Sequence, residues 1–129
     1  MRKDIAKIIN TSLGYEAHGI FSLHLDVDYG GAGQSVGGYA LDGVVRDEVG
    51  NFVGRGGTAY GLEFIARTLK ACGVDTWEKV KGRTIYVFRD LEEGQSGWGH
   101  GPDSILGIGP LPTEPGEDFY FEALAEEYG

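Results

Sequence analysis

The sequence predicts an α+β domain: an antiparallel sheet of about five strands, one main helix packed on a face, a short helical turn and an acidic C-terminal helix. Three observations lead there. "GIFSLHLDVDYG" alternates apolar and polar residues with period two, the mark of a strand with one wet face. Glycine clusters separate the strand-like runs, as hairpin turns require. A single long segment, Thr58 to Cys72, carries apolar residues at helical spacing.

Taken in order, "IAKIINTSLG" has strand composition and ends near Gly14. The second strand sets Phe21, Leu23, Leu25, Val27 and Tyr29 against Ser22, His24, Asp26 and Asp28. "GGAGQSVGG" reads as the hairpin loop and "VGGYALDGVV" as the returning strand, with Gly37 and Gly38 at a bulge or close approach. "RDEVGNFVGRGG" is a turn-rich connection. In the main helix, Leu62, Ile65, Ala66, Leu69 and Cys72 form the stripe expected to face the sheet, and Gly73 stands where a C-terminal glycine cap belongs. "VDTWEKVKG" predicts a helical turn with Asp75 and Glu78 spaced like a capping box. "RTIYVFRD" and "SILGIGPL" are two further strands, separated by the glycine-rich "DLEEGQSGWGHGPDS". In the tail, Phe121, Leu124, Ala125 and Tyr128 repeat at helical spacing behind an acidic opening.

A chain of 129 residues, 41% hydrophobic, suits one domain spanning 1–129, as a monomer or small homo-oligomer. Eleven basic residues against 20 acidic give a net charge of −9, which argues against nonspecific nucleic-acid binding and fits a partner with a basic face. The acid is concentrated: Glu114, Glu117, Asp118, Glu122, Glu126 and Glu127 lie in a tail with no Lys or Arg. Arg67, Lys70, Lys79, Lys81 and Arg83 cluster upstream, so the two segments either face each other or leave the acidic end for a partner. One cysteine, Cys72, permits no internal disulfide, and "MRKDIAKIIN" lacks a secretory apolar run. No stretch reaches the ~20 apolar residues of a membrane span. The expected setting is the cytoplasm.

"GRGGTAYG" offers an anion site in Arg55, Gly56, Gly57 and Thr58 at a helix N-terminus. It lacks the lysine of a Walker loop and the third glycine of a dinucleotide fingerprint, so a tight turn before a capped helix competes with that reading. His24, Asp26 and Asp28 share a strand face and could ligate a divalent metal, with His100 as a fourth ligand; a solvated face is the plainer alternative. No nucleophile elbow appears and Cys72 lies on the helix's inner stripe, so no enzyme and no cofactor are predicted. Tyr60, Phe64 and Ala71 project from the opposite side of the helix beside Arg67, the composition of an interface anchor, unless Phe119, Tyr120 and Phe121 fold back over them. Trp98, among glycines, is either a core residue or a second contact.

The segments "GYEAHGIFSLHLDVDYGGAGQSVGGYALD", "GTAYGLEFIARTLKACGVDTWEKVKGRTIYV" and "ILGIGPL" resemble a group of small bacteriophage and prophage proteins. The resemblance covers about residues 10 to 110, is most specific in the helical segment, and carries no catalytic residues across. It implies a phage protein acting in the cytoplasm of an infected bacterium by binding a host or phage protein, with an inhibitor of a defence system, of the anti-CRISPR kind, as the sharpest version. The docking elements would be Tyr60, Phe64, Arg67 and Trp98, or the acidic residues Glu122, Glu126 and Glu127. A nucleotide-binding module built on the glycine loops and a DNA-metabolism accessory protein are the alternatives.

Overall fold

A computed structural model describes residues 1–90 and 105–129, the side chains of Glu16 and Ala17 excepted. Trp98 and His100 lie outside the described residues. The fold is α+β: a six-stranded antiparallel sheet, a separate two-stranded hairpin and two helices. Among the described residues no helix is long and apolar enough to cross a membrane.

Strand β1 (Arg2–Ala17) is the spine of the large sheet. It pairs with β2 (Ile20–Asp28) along most of its length and with β6 (Thr84–Arg89) through its first half. The sheet order is β3-β2-β1-β6-β7-β8, with β3 Gly33–Ala40, β7 Ile105–Gly109 and β8 Phe119–Tyr120. The alternation read in β2 is realised, with Leu23, Leu25 and Val27 buried on the inner face. The turn into β3 is tighter than predicted: Tyr29 N–H donates to the Ala32 carbonyl, and Gly33, Gln34 and Ser35, read as loop, already belong to the strand that continues through the expected Val36–Ala40.

The predicted returning strand ends at Ala40, and a new hairpin begins: β4 (Asp42–Arg46) and β5 (Phe52–Gly57). Asp47 closes its tip by accepting from the Val49 and Asn51 N–H groups. The stretch read as turn-rich therefore contains a strand. Its glycines are tolerated because β5 pairs only with β4 and little side-chain packing is asked of it.

Helix α1 (Ala59–Cys72) has the predicted caps: Thr58 Oγ1 accepts from Gly61 N–H, and left-handed Gly73 closes the other end. Its rotation is displaced from the prediction rather than reversed: Cys72 is buried as expected, and Ile65 and Leu69 pack half-buried at the margin of the core. Gly61, Phe64, Thr68, Ala71 and Cys72 face the core, whereas Leu62 is 71% exposed. Two local facts set this rotation. Gly61 lies directly on the Leu41 carbonyl, where any Cβ would collide, and Thr68 turns its hydroxyl onto the Phe64 carbonyl, which makes a buried threonine tolerable. Past Gly73, Trp77–Lys79 forms a 3-10 turn in which Asp75 pairs with Lys79, so the capping-box pairing with Glu78 does not occur.

The tail supplies β8 and then α2 (Phe121–Tyr128). Phe64, Phe119 and Phe121 form a mutually packed triad with ring centroids 4.9–5.4 Å apart. Across the sheet's outer face, Tyr120 reaches over Gly107 to stack on Phe88 at 5.0 Å. Tyr39, at the far edge of the sheet in β3, lies 5.5 Å from Phe121. The sheet is thus curled until its two edges approach each other beside α2.

A tyrosine and glutamate cleft beside the C-terminal helix

The predicted docking face on α1 is largely filled by the chain itself. Phe64 is 1% exposed at the centre of the aromatic triad and cannot serve as a docking residue. Arg67 is held by Glu63 at 3.0 Å and Glu127 at 2.9 Å. Arg83 meets Glu114 at 3.4 Å, so the basic and acidic segments do face each other in part. Both corrections have one cause. Phe119 and Phe121 of the tail need an apolar platform, and the Gly61–Phe64–Ala71 side of α1 provides one over the curled sheet.

The anion site is also overturned. Arg55 lies in β5 and forks onto the Asp42 carboxylate, with contacts of 3.0 and 2.8 Å across the hairpin. That guanidinium holds the Asp42 carboxyl below the usual range, and burial opposes the shift. Thr58 Oγ1 donates to the Leu41 carbonyl while capping Gly61, so the Gly61 N–H at the first turn of α1 is taken from within the chain. Gly56 and Gly57 are extended residues of β5, not a phosphate cradle.

His24, Asp26 and Asp28 share a strand face, as expected, but their side chains do not converge into a metal-binding group. Asp28 instead accepts from the Gly30 and Gly31 N–H groups, which lower its pKa and fix the β2–β3 turn. No group of three His, Cys, Asp or Glu residues able to hold a metal ion occurs among the described residues. Cys72 is buried, and burial pushes its thiol up to about 12, which makes it an apolar core residue rather than a nucleophile.

α2 is bordered by open surface. Two shallow clefts share Tyr60 and Ala125. One, about 520 Å³, is walled by Tyr39, Tyr60 and Tyr120 and rimmed by Glu122 and Glu126. The other, about 480 Å³, runs between Tyr60 and Tyr128 toward Asp42 and Thr58. Three of the tyrosines keep their apolar bodies on the phenylalanine triad or on Phe88: Tyr60 lies against Phe64 at 6.0 Å, Tyr39 against Phe64 at 5.5 Å and Tyr120 on Phe88, while Tyr128 meets Tyr60 edge-on at 6.3 Å. Burial, with Tyr39 second, raises the Tyr60 pKa, so its ring is a neutral donor and π-surface at physiological pH. Glu122 and Glu126 are exposed four residues apart on α2, and among the described residues no ion pair engages either. Like charges at that spacing, with no basic residue in the last turn, oppose the helix.

Of the residues expected to bind a partner, the structure brings Tyr60, Glu122 and Glu126 together here. It assigns Arg67 and Glu127 to each other. Tyr39, Tyr120 and Tyr128 were missed as site residues: only the curled sheet brings them together, and of the three only Tyr120, between Phe119 and Phe121, carries a sequence signal. No family model matches the chain, and no curated protein or solved structure matches it significantly.

Proposed function

We infer that this is a protein-binding domain whose tyrosine and glutamate cleft takes a cationic side chain, arginine or lysine, from the surface of a partner protein. The observation that carries this reading is the pairing of aromatic walls with two carboxylates that no basic residue of the described chain neutralises. Neutral rings attract a cation through their π-faces, and a carboxylate at the rim adds a charge-assisted hydrogen bond. A bound cation would also relieve the Glu122 and Glu126 repulsion on α2, so binding and helix order reinforce each other. The net charge of −9 steers a basic surface toward the domain.

From the resemblance to phage proteins we propose that this partner is met in the cytoplasm of an infected bacterium. A host defence protein with a basic groove is the class such a cleft would occupy, and an inhibitor of a defence system is the role this proposes. The test is affinity capture from bacterial lysate with the wild-type chain and with Tyr60→Ala and the double change Glu122→Gln, Glu126→Gln. One stoichiometric partner retained by the wild type and lost by both variants supports the reading. Equal capture by all three, or none by the wild type, contradicts it.

A further inference from the structure

The tyrosine and glutamate cleft does not end at Tyr60. That ring is shared with the second cleft, and Asp42 and Thr58 of the second cleft also line a third, a groove of about 230 Å³ at the base of the β4–β5 hairpin. Chemistry changes along this line. The first cleft carries the carboxylates of Glu122 and Glu126. The middle one is neutral: Arg55 forks onto Asp42, and the Thr58 hydroxyl is taken by the Leu41 carbonyl and the Gly61 N–H. The third is apolar, walled by Tyr15, Phe21, Leu41, Leu62 and Ile65. Leu62 and Tyr15 are 71% and 67% exposed, and exposed apolar walls around a groove mark a contact site. Leu62 is also held there. Gly61 lies directly on the Leu41 carbonyl, and that close approach fixes the next side chain of α1 on the groove's rim.

We propose that the three clefts form one track whose occupant is a single segment of the partner protein, with an arginine or lysine in the first cleft and a leucine or isoleucine in the groove. The proposal rests on the reading of the first cleft as a cation site and extends it to a second anchor. Charge decides which end takes which side chain. Among the described residues the groove's one carboxylate is Asp42, already neutralised by Arg55, so a cation entering the groove would lose its water and meet no free counter-charge. An aliphatic side chain in the first cleft would instead cover Glu122 and Glu126 and leave them unpaired. The shared walls argue for one segment rather than two ligands. Once the cation is seated, the aliphatic side chain is held at high effective concentration over the groove. Between the anchors, Ala40, Ala59 and Ala125 line the middle cleft, and their small side chains leave room for a main chain to pass beside Tyr60 and Tyr128.

The probes are blocked peptides carrying one arginine and one leucine joined by glycine and serine spacers of increasing length. Two matched sets replace the leucine by serine or the arginine by glycine. Each is titrated into the isotope-labelled full chain and followed by NMR. At the spacing that fits the track, the arginine–leucine peptide should bind about tenfold more tightly than its serine counterpart and shift the Leu62 and Ile65 methyl groups together with the Tyr60 ring. Leu62→Ser, a change at an exposed position, should remove that gain and leave the affinity of the arginine–serine peptide unchanged. An arginine–serine peptide that binds the first cleft, with no spacing of leucine improving on it, overturns the track and leaves the cation site standing. A leucine peptide that needs no arginine to bind as tightly makes the groove an independent apolar site. A chain that sediments as a dimer until Leu62 is changed gives the groove to a second copy. Either result overturns the proposal. Failure of every arginine-bearing peptide to bind overturns the cation site with it.

Discussion

The cleft beside α2 and the β4–β5 hairpin both expose apolar side chains, yet they are built for different neighbours. In the cleft the rings are rooted: Tyr39 and Tyr60 lean on Phe64, and Tyr120 lies on Phe88. Carboxylates rim it. In the hairpin, Val44, Val45 and Phe52 stand on a two-stranded ribbon with little beneath them, and the charges nearly cancel. Exposed apolar area alone does not name a partner; the charge around it and the rigidity below it do.

The largest expected effect separates root from arm. Phe64→Ala empties the centre of the aromatic triad and should cost about 3–5 kcal/mol in urea unfolding, while Phe52→Ala should stay within about 0.5 kcal/mol. Similar costs at both positions would erase the distinction. Next comes the joint between the regions. A Cβ at Gly61 meets the Leu41 carbonyl, so Gly61→Ala should push α1 off the hairpin's base and cost about 1–3 kcal/mol, visible as a lowered Tm. Alanine's better helix propensity works in the other direction, so a raised Tm would show that the close approach is absent.

Smaller effects belong to single charges. The folded Asp42 pKa is depressed by Arg55, so its contribution is complete above the unfolded value near ~4 and is lost as pH falls through the lower folded value. Asp42→Asn should lose that acid limb at the hairpin, and acid unfolding curves of the two proteins should converge at low pH. Smallest is Glu126→Gln, which should stabilise α2 by a few tenths of a kcal/mol by removing the i,i+4 repulsion with Glu122 and a carboxylate from the helix's C-terminal end. A destabilised variant would mean those carboxylates serve the fold rather than a partner.

The sequence carried most of the fold. The period-two run in β2 and the Thr58 and Gly73 caps of α1 were legible because they depend on local geometry. The rotation of α1 was not. Leu62, Ile65 and Leu69 outrank Gly61, Phe64, Thr68 and Ala71 in hydrophobicity, but the second set is chosen by close approach to Leu41 and by two phenylalanines, Phe119 and Phe121, arriving from the tail. That misreading also sent Phe64 to the surface. β5 was hidden because Gly54, Gly56 and Gly57 have turn composition, while its pairing with β4 is a tertiary fact. Half of the cleft was legible, since Tyr60 and the acidic tail are visible in one dimension. Tyr39 and Tyr120 join them only when opposite edges of the sheet curl together.

The most direct test of the cleft is a titration of the isotope-labelled chain with a short arginine-rich peptide, followed by side-chain and backbone NMR. The account predicts saturable shifts confined to Tyr39, Tyr60, Tyr120, Glu122, Glu126 and the α2 amides, abolished by Tyr60→Ala. Shifts spread evenly over all surface carboxylates, with the tyrosine rings unmoved, would contradict it.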